Sequence, residues 1–68
     1  MPVKYATKPQ ARFIDGLLID VGLSNLKPRN DYLSRIADRQ IEHIADLTAS
    51  EASEVIEELL ELKESRQG

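Results

Sequence analysis

The sequence predicts an all-α domain, a small three-helix bundle. Three segments carry apolar residues at spacings of three and four, which is the pattern of a helix with one buried face. Two of these segments begin with residues that cap helices. No segment alternates between apolar and polar residues for long enough to predict a sheet. Because the chain has 68 residues, we expect a single helical domain over residues 1–68.

The first helix is predicted over residues 8–21. Thr7 is a good N-cap, and Gln10 completes a capping box three residues later. Gly22 predicts the end of the helix, because glycine takes the left-handed conformation at little cost. Gly16 lies inside the helix, and we expect it to let another helix pack close. The apolar stripe consists of Phe13, Ile14, Leu17, Leu18 and Val21.

The second helix is predicted over residues 31–45. Residues 24–30 are predicted to be a loop, because a proline in this segment disfavours the helical conformation of the residue before it. Asn30 or Asp31 is expected to cap the helix. The pattern leaves two alternatives open, since the segment is either one helix or a short helix followed by a turn near residues 39–40.

The third helix is predicted over residues 49–65. Thr48 is the expected N-cap, and Glu51 is its partner in a second capping box. Residues 1–6 and 67–68 are expected to be frayed. Since each helix is apolar on one side only, the three stripes must bury against one another or against a second copy. The sequence therefore allows either a monomer or a homodimer.

Composition excludes several classes of function. The chain has no cysteine and one histidine, so disulfides, thiolate zinc sites and two-histidine metal motifs are excluded, and we expect no metal or cofactor. No apolar run approaches the roughly 18 residues of a membrane span, and a cytoplasmic protein is expected. The residue types of a catalytic triad occur close together in the sequence, at His43, Asp46, Ser50 and Ser53. No pocket-forming segment surrounds them, and we expect no enzyme activity and no catalytic residues.

Charge is unevenly distributed along the chain. Residues 1–40 hold seven Lys and Arg against four Asp, whereas residues 41–68 hold two against eight Asp and Glu. The basic residues have Tyr5 and Tyr32 as neighbours that could stack on an unpaired base. The overall pI near 5.0 opposes tight nonspecific binding. The candidate nucleic-acid contacts are Lys4, Lys8, Arg12, Lys27, Arg29, Arg35 and Arg39.

The third helix carries glutamates spaced at threes and fours. This spacing places like charges on one ridge, where each contact costs a few tenths of a kcal/mol. The ridge is a solvated face, or it meets basic residues of the first two helices, or it binds a basic partner. The candidate partner-binding residues are Glu51, Glu54, Glu58 and Glu61.

Two segments together resemble a family of short helical bacterial and bacteriophage proteins of uncharacterised function. Residues 6–22 contain a T-x-x-Q-x-x-x-I start closed by a glycine, and residues 46–62 contain the pattern L-T-x-x-E-A-S-x-x-I-x-x-L. Similar modules are appended to phage recombination and single-strand annealing proteins. The resemblance implies a non-enzymatic accessory module in phage-type DNA transactions, and does not extend to residues 24–45.

Two functional hypotheses follow. The first is a non-enzymatic interaction module in DNA transactions or host takeover, which binds a protein partner and has nucleic acid as a second candidate partner. The alternative is a small acidic inhibitor that presents the third helix to the nucleic-acid site of a host enzyme and imitates the spacing of phosphates.

Overall fold

The fold is known from a computed structural model, which describes residues 3–67. It contains the three α-helices α1 (Lys8–Asp20), α2 (Leu26–Ala37) and α3 (Ala49–Gln67), and a single 3-10 turn at Ile44–Asp46 precedes α3. No named strand occurs in the described part of the chain. The predicted all-α three-helix fold is confirmed.

Both ends of α1 form as the sequence predicts. The backbone N–H of Thr7 donates to Gln10 Oε1 at 2.9 Å, and the backbone N–H of Gln10 donates to Thr7 Oγ1 at 3.2 Å. At the other end Gly22 has a φ of 85°, and the N–H of Leu23 donates to the carbonyl of Leu18 at 2.7 Å. This is the Schellman ending that glycine favours.

The predicted start of α2 is wrong. The helix begins at Leu26 rather than at residue 31, and Asn25 is its N-cap, without a side-chain hydrogen bond. Pro28 therefore lies in the first turn, where the backbone N–H groups have no partner within the helix. A proline costs little there and its fixed φ suits a helix. Asn30 and Asp31 consequently lie inside the helix rather than at its start.

The end of α2 decides between the two alternatives for this segment. The helix ends at Ala37, and Asp38 takes the left-handed conformation with a φ of 57°. The N–H of Arg39 then donates to the carbonyl of Ser34 at 3.3 Å. The segment is therefore a short helix followed by a turn.

Replacing Asp38 by glycine should stabilise the fold. The left-handed conformation costs a residue with a side chain more than it costs glycine. We expect a gain of about 0.5–1 kcal/mol and a rise in Tm of roughly 4–8 °C per kcal/mol in thermal denaturation. Asp31→Gly is the control, because it removes the same charge but lies inside α2. Glycine is unfavourable within a helix, so this variant should be about 0.3 kcal/mol less stable than wild type. If both variants were more stable than wild type, or if neither were, the left-handed conformation of Asp38 would not account for the effect.

The start of α3 is also confirmed. The N–H of Thr48 donates to Glu51 Oε1 at 2.9 Å, and the N–H of Glu51 donates to Thr48 Oγ1 at 3.1 Å. These reciprocal bonds are the predicted capping box. The helix continues to Gln67, two residues beyond the predicted end, and Gly68 lies outside the described residues.

The segment before α1 is held in place from Lys4 onward rather than frayed. The N–H of Ala6 donates to the carbonyl of Leu47 at 2.9 Å, and the N–H of Ala49 donates to the carbonyl of Lys4 at 2.8 Å. Tyr5 lies between these bonds in an isolated bridge with Thr48. The expected fraying of residues 1–6 thus does not extend to residues 4–6, and residues 1–2 lie outside the described part.

The three helices run up, down and up. The starts of α1 and α3 are joined by the bridge just described, and farther along Asp20 Oδ2 lies 3.1 Å from Lys63 Nζ. These two helices are therefore parallel. Arg29 at the start of α2 pairs with Asp15 in the middle of α1 at 3.0 Å. Arg39, just after the end of α2, pairs with Glu51 in the first turn of α3, so α2 runs in the opposite direction. We call the end with the starts of α1 and α3 the entry end, and the other the exit end.

The core is filled from all three helices and the segments between them. Among the described residues no polar or charged residue is fully buried. α2 contributes a single buried residue, Leu33. The buried residues therefore form one continuous apolar core. All of its side chains come from a single copy of the chain. The buried residues are Ile14, Leu17, Leu18, Val21, Leu33, Ile41, Leu47, Ala52, Val55 and Leu59.

Two expectations for α1 are wrong. Phe13 was expected in the buried stripe but is 49% exposed, because it lies at the edge of the stripe that Leu17 and Leu18 bury. Gly16 was expected at a close helix contact, but a Cβ built on it meets no atom within 4 Å. It lies on the exposed side of the helix, and no described residue of another helix packs against it.

Candidate interaction surfaces

The residue types of a catalytic triad are not assembled into one. His43 is exposed, and its backbone N–H, not its imidazole, donates to Asp46 Oδ2 at 3.2 Å. The Asp46 carboxylate therefore caps the 3-10 turn. Ser50 and Ser53 are exposed on α3. Within the described residues no group of three or more His, Cys, Asp or Glu side chains could hold a metal ion.

A groove of about 770 Å³ lies between α2 and the segment of residues 40–43. The sequence does not predict this groove, because it predicts a loop over residues 24–30, where the structure has the start of α2. Proline in the first turn of a helix is a recognised signal, and it could have located the start of α2 and its exposed face. The groove is lined by Leu26, Lys27, Asn30, Asp31, Ser34, Gln40, Ile41, Glu42 and His43.

A side-chain hydrogen bond fixes the wall of the groove opposite α2. Ser34 Oγ accepts from the backbone N–H of Ile41 at 2.8 Å, and the same hydroxyl lies 3.4 Å from the Ile41 carbonyl oxygen. The Ile41 side chain is 1% exposed and belongs to the core. Ile41 is therefore anchored both by its backbone and by its side chain, which holds this wall of the groove in place.

The groove combines apolar surface with an unused hydrogen-bonding group. Leu26, at its edge, is 63% exposed, although leucine is among the residues that most often lie inside proteins. Asn30 Oδ1 is buried and has no hydrogen-bond partner among the described residues. Rotation of this side-chain amide would present the oxygen or the NH₂ group to a molecule in the groove. Lys27, Asp31 and Glu42 supply charge around it.

The seven basic candidates do not form one patch. Lys4, Lys8 and Arg12 are exposed near the entry end, and no carboxylate of the described residues forms an ion pair with them. Arg39 lies at the same end, but its guanidinium is occupied. It donates from Nε and Nη2 to both carboxylate oxygens of Glu51, at 3.1 and 2.7 Å, and from Nη2 to the Asp46 carbonyl at 2.7 Å.

The other three basic candidates are on α2, with Lys27 and Arg29 in its first turns near the exit end and Arg35 in its last turn. Lys27 is exposed in the first turn, and Arg29, whose side chain is 17% exposed, pairs with Asp15. Arg35 is exposed beside Tyr32. Burial and then the nearby Glu58 carboxylate raise the Tyr32 pKa. Tyr32 is therefore half-buried between the acidic helix and the exposed Arg35.

The acidic candidates also separate into two kinds. Glu51 is half-buried and is bound by Arg39 and by the cap of α3, so it is not free for a partner. The remaining glutamates on the solvent side of α3 are exposed, and no described lysine or arginine forms an ion pair with them. This acidic face consists of Glu54, Glu57, Glu58, Glu61 and Glu64.

Glu51 should make stability depend on pH in the acid range. The hydrogen bond from Arg39 holds the pKa of the Glu51 carboxyl below its ordinary value near 4.5, with the bonds from Thr48 adding to the effect and partial burial opposing it. Since the pKa is lower in the folded state, the stabilisation is complete above the unfolded pKa and is lost as pH falls through the folded pKa.

We therefore expect Glu51→Gln to be less stable than wild type at pH 7 in urea denaturation, and the difference to shrink as pH falls below about 4. Glu57→Gln is the control, because Glu57 is exposed and has no ion-pair partner among the described residues. A Glu51→Gln difference that stays constant down to pH 3 would contradict the role of the Arg39 pair.

No protein-family model matches the chain, and neither a curated protein nor a solved structure matches it. The resemblance to the phage-type helical family thus rests on the two helix starts alone. Among the described residues, no helix combines the length and the apolar character that crossing a membrane requires.

Proposed function

We propose that this chain is a non-enzymatic interaction module that binds a segment of a protein partner in the groove between α2 and residues 40–43. The observation that carries the proposal is the exposure of Leu26 beside this groove. Full burial of a leucine side chain is worth about 1.5–3 kcal/mol, yet Leu26 is 63% exposed. A partner that covers it recovers part of this free energy.

The chemistry of the groove indicates the kind of segment it binds. An apolar side chain of the partner would lie against Leu26, and a polar backbone group beside it would pair with the Asn30 amide, whose oxygen has no partner. Clefts that bind ligands combine apolar surface with a few placed polar groups in this way. Because Ser34 already fixes the far wall, little ordering free energy opposes binding.

The setting of this activity is proposed on the resemblance of the two helix starts. We infer a phage-type module that acts in DNA transactions or host takeover, in the cytoplasm of the cell that contains it. Its partner would then be a protein of the replication or recombination machinery, or a host protein.

Affinity capture with a groove variant tests the proposal. We expect wild type to retain a partner from a lysate of the source cells and Leu26→Asp to lose it. Leu26 is the first residue of α2, where an acidic side chain suits the helix, so the variant should fold. Leu60→Asp is the matched control, because Leu60 is 39% exposed on α3. Equal retention by both variants, or equal loss, would contradict the groove as the binding site.

A second candidate function is favoured by the acidic face of α3. Five exposed glutamates without described cationic partners form a negatively charged surface, which fits an inhibitor that occupies the nucleic-acid site of a host enzyme. In that case Glu54→Lys combined with Glu58→Lys would abolish capture of the enzyme while the thermal melt stays near that of wild type. Unchanged capture would reject this function.

Contact with nucleic acid is proposed only for the entry end. Lys8 and Arg12 are exposed there without ion-pair partners. If this end binds a single-stranded oligonucleotide, affinity falls steeply as salt rises, and Lys8→Glu combined with Arg12→Glu abolishes it. Lys27→Glu, on α2, should have little effect. Binding that survives the double change would rule out this surface.

A further inference from the structure

The solvent side of α1 is a face without a partner, centred on Gly16. A Cβ on Gly16 would meet no atom of the described residues within 4 Å, so packing among them does not explain a glycine there. Phe13 and Ile19 lie on either side of it and are 49% and 55% exposed. A glycine between two exposed apolar side chains is suited to the close approach of another backbone.

The charges of this face are arranged symmetrically about Gly16. Arg12 lies four residues before the glycine and Asp20 four residues after it, so the three residues form one row along the helix surface. No described carboxylate forms an ion pair with Arg12. Asp20 accepts from Lys63 through Oδ2, which leaves its other oxygen for a second donor.

We propose that a second copy of this chain covers the face, with the two α1 helices antiparallel and related by a two-fold axis at Gly16. In the commonest class of helix packing, rows of residues four apart on the two helices run alongside each other. An antiparallel two-fold then places Arg12 of each copy alongside Asp20 of the other. A parallel pair would instead bring Arg12 against Arg12, and like charges repel. Charge complementarity thus selects the antiparallel arrangement.

The same arrangement covers the exposed apolar side chains. Phe13 and Ile19 of both copies flank the central row and lose contact with water, and the absence of a side chain at Gly16 lets the backbones meet. A two-fold interface uses the same patch on both copies, which matches a pattern that is complementary to itself. A single helix face buries less than the roughly 800 Å² per partner of a standard interface, so we expect a weak dimer.

Analytical ultracentrifugation of the purified full chain, from about 10 µM to 1 mM, tests the dimer. Wild type should pass from monomer to dimer over this range, and Gly16→Leu should weaken association at least about tenfold by blocking the approach of the helices. Because leucine favours helices more than glycine does, this variant should melt no lower than wild type. Ser53→Leu adds the same side chain to an exposed position of α3 and should leave association unchanged.

Charge exchange tests the antiparallel register. Arg12→Asp and Asp20→Arg should each weaken association about fivefold or more, because each places like charges together twice, and the double variant with both changes should recover most of the loss. The proposal is overturned if wild type is monomeric up to about 1 mM. It is also overturned if Gly16→Leu dimerises as wild type does, or if the double variant associates no better than the single ones.

Discussion

Leu33→Ala is expected to unfold most of the protein at room temperature. Leu33 is 0% exposed and is the only buried residue of α2, so its truncation removes the main apolar contact of a whole helix. Large-to-small substitutions of buried leucine cost about 2–5 kcal/mol, while a core of this size supplies roughly 3–5 kcal/mol. Circular dichroism with urea denaturation measures the loss.

The control for this prediction is Leu26→Ala in the same helix. Leu26 is exposed, so the same chemical change should cost less than about 0.5 kcal/mol. If Leu33→Ala kept a cooperative transition within about 1 kcal/mol of wild type, α2 would not be held to the bundle by Leu33, and the described packing would be wrong.

Ser34→Ala is expected to have the second largest effect, a loss of about 1–3 kcal/mol. The substitution removes the acceptor of the Ile41 N–H, and a partly buried donor without a partner costs this much. The side chain of Ile41 would remain in the core, but the wall of the groove would no longer be fixed. We therefore expect lower stability and also faster amide hydrogen exchange at Ile41.

Ser53→Ala is the matched control, since Ser53 is exposed on α3, and its stability should stay within about 0.5 kcal/mol of wild type. Restoring a hydroxyl with Ser34→Thr should recover part of the lost exchange protection. If Ser34→Ala leaves exchange at Ile41 unchanged, the hydroxyl does not fix the groove.

The sequence predicts α1 and α3 well because their limits depend on local chemistry. Thr7 with Gln10, and Thr48 with Glu51, bond within one helical turn, and Gly22 closes α1 within two residues of its end. Such interactions are contained in the spacing of residues along the chain. α2 has no capping side-chain bond at Asn25, and its start was therefore placed too late.

The candidate surfaces could be predicted less well because they depend on the direction of the helices. Arg39 and Glu51 belonged to opposite candidate sets, one basic and one acidic. The antiparallel course of α2 brings them together, and they form an ion pair in which Arg39 Nη2 lies 2.7 Å from Glu51 Oε1. The groove depends on Ser34 reaching Ile41 across a turn, which no periodic pattern records.

The exposed face of α1 illustrates the same limit. Spacing predicts Phe13 in the buried stripe and Gly16 at a close helix contact, but only the packing of the other elements decides which residues of α1 are covered. Since no atom of the described residues lies within 4 Å of a Cβ built on Gly16, their packing does not require a glycine there.

The footprint of the captured partner, measured by NMR chemical-shift perturbation on the isotopically labelled chain, tests the central claim most directly. We expect the largest changes at Leu26, Asn30 and Ile41, with few at the acidic face of α3 or on the exposed side of α1. Changes concentrated at Glu54, Glu58 and Glu61, with the groove signals unmoved, would contradict the groove as the binding site.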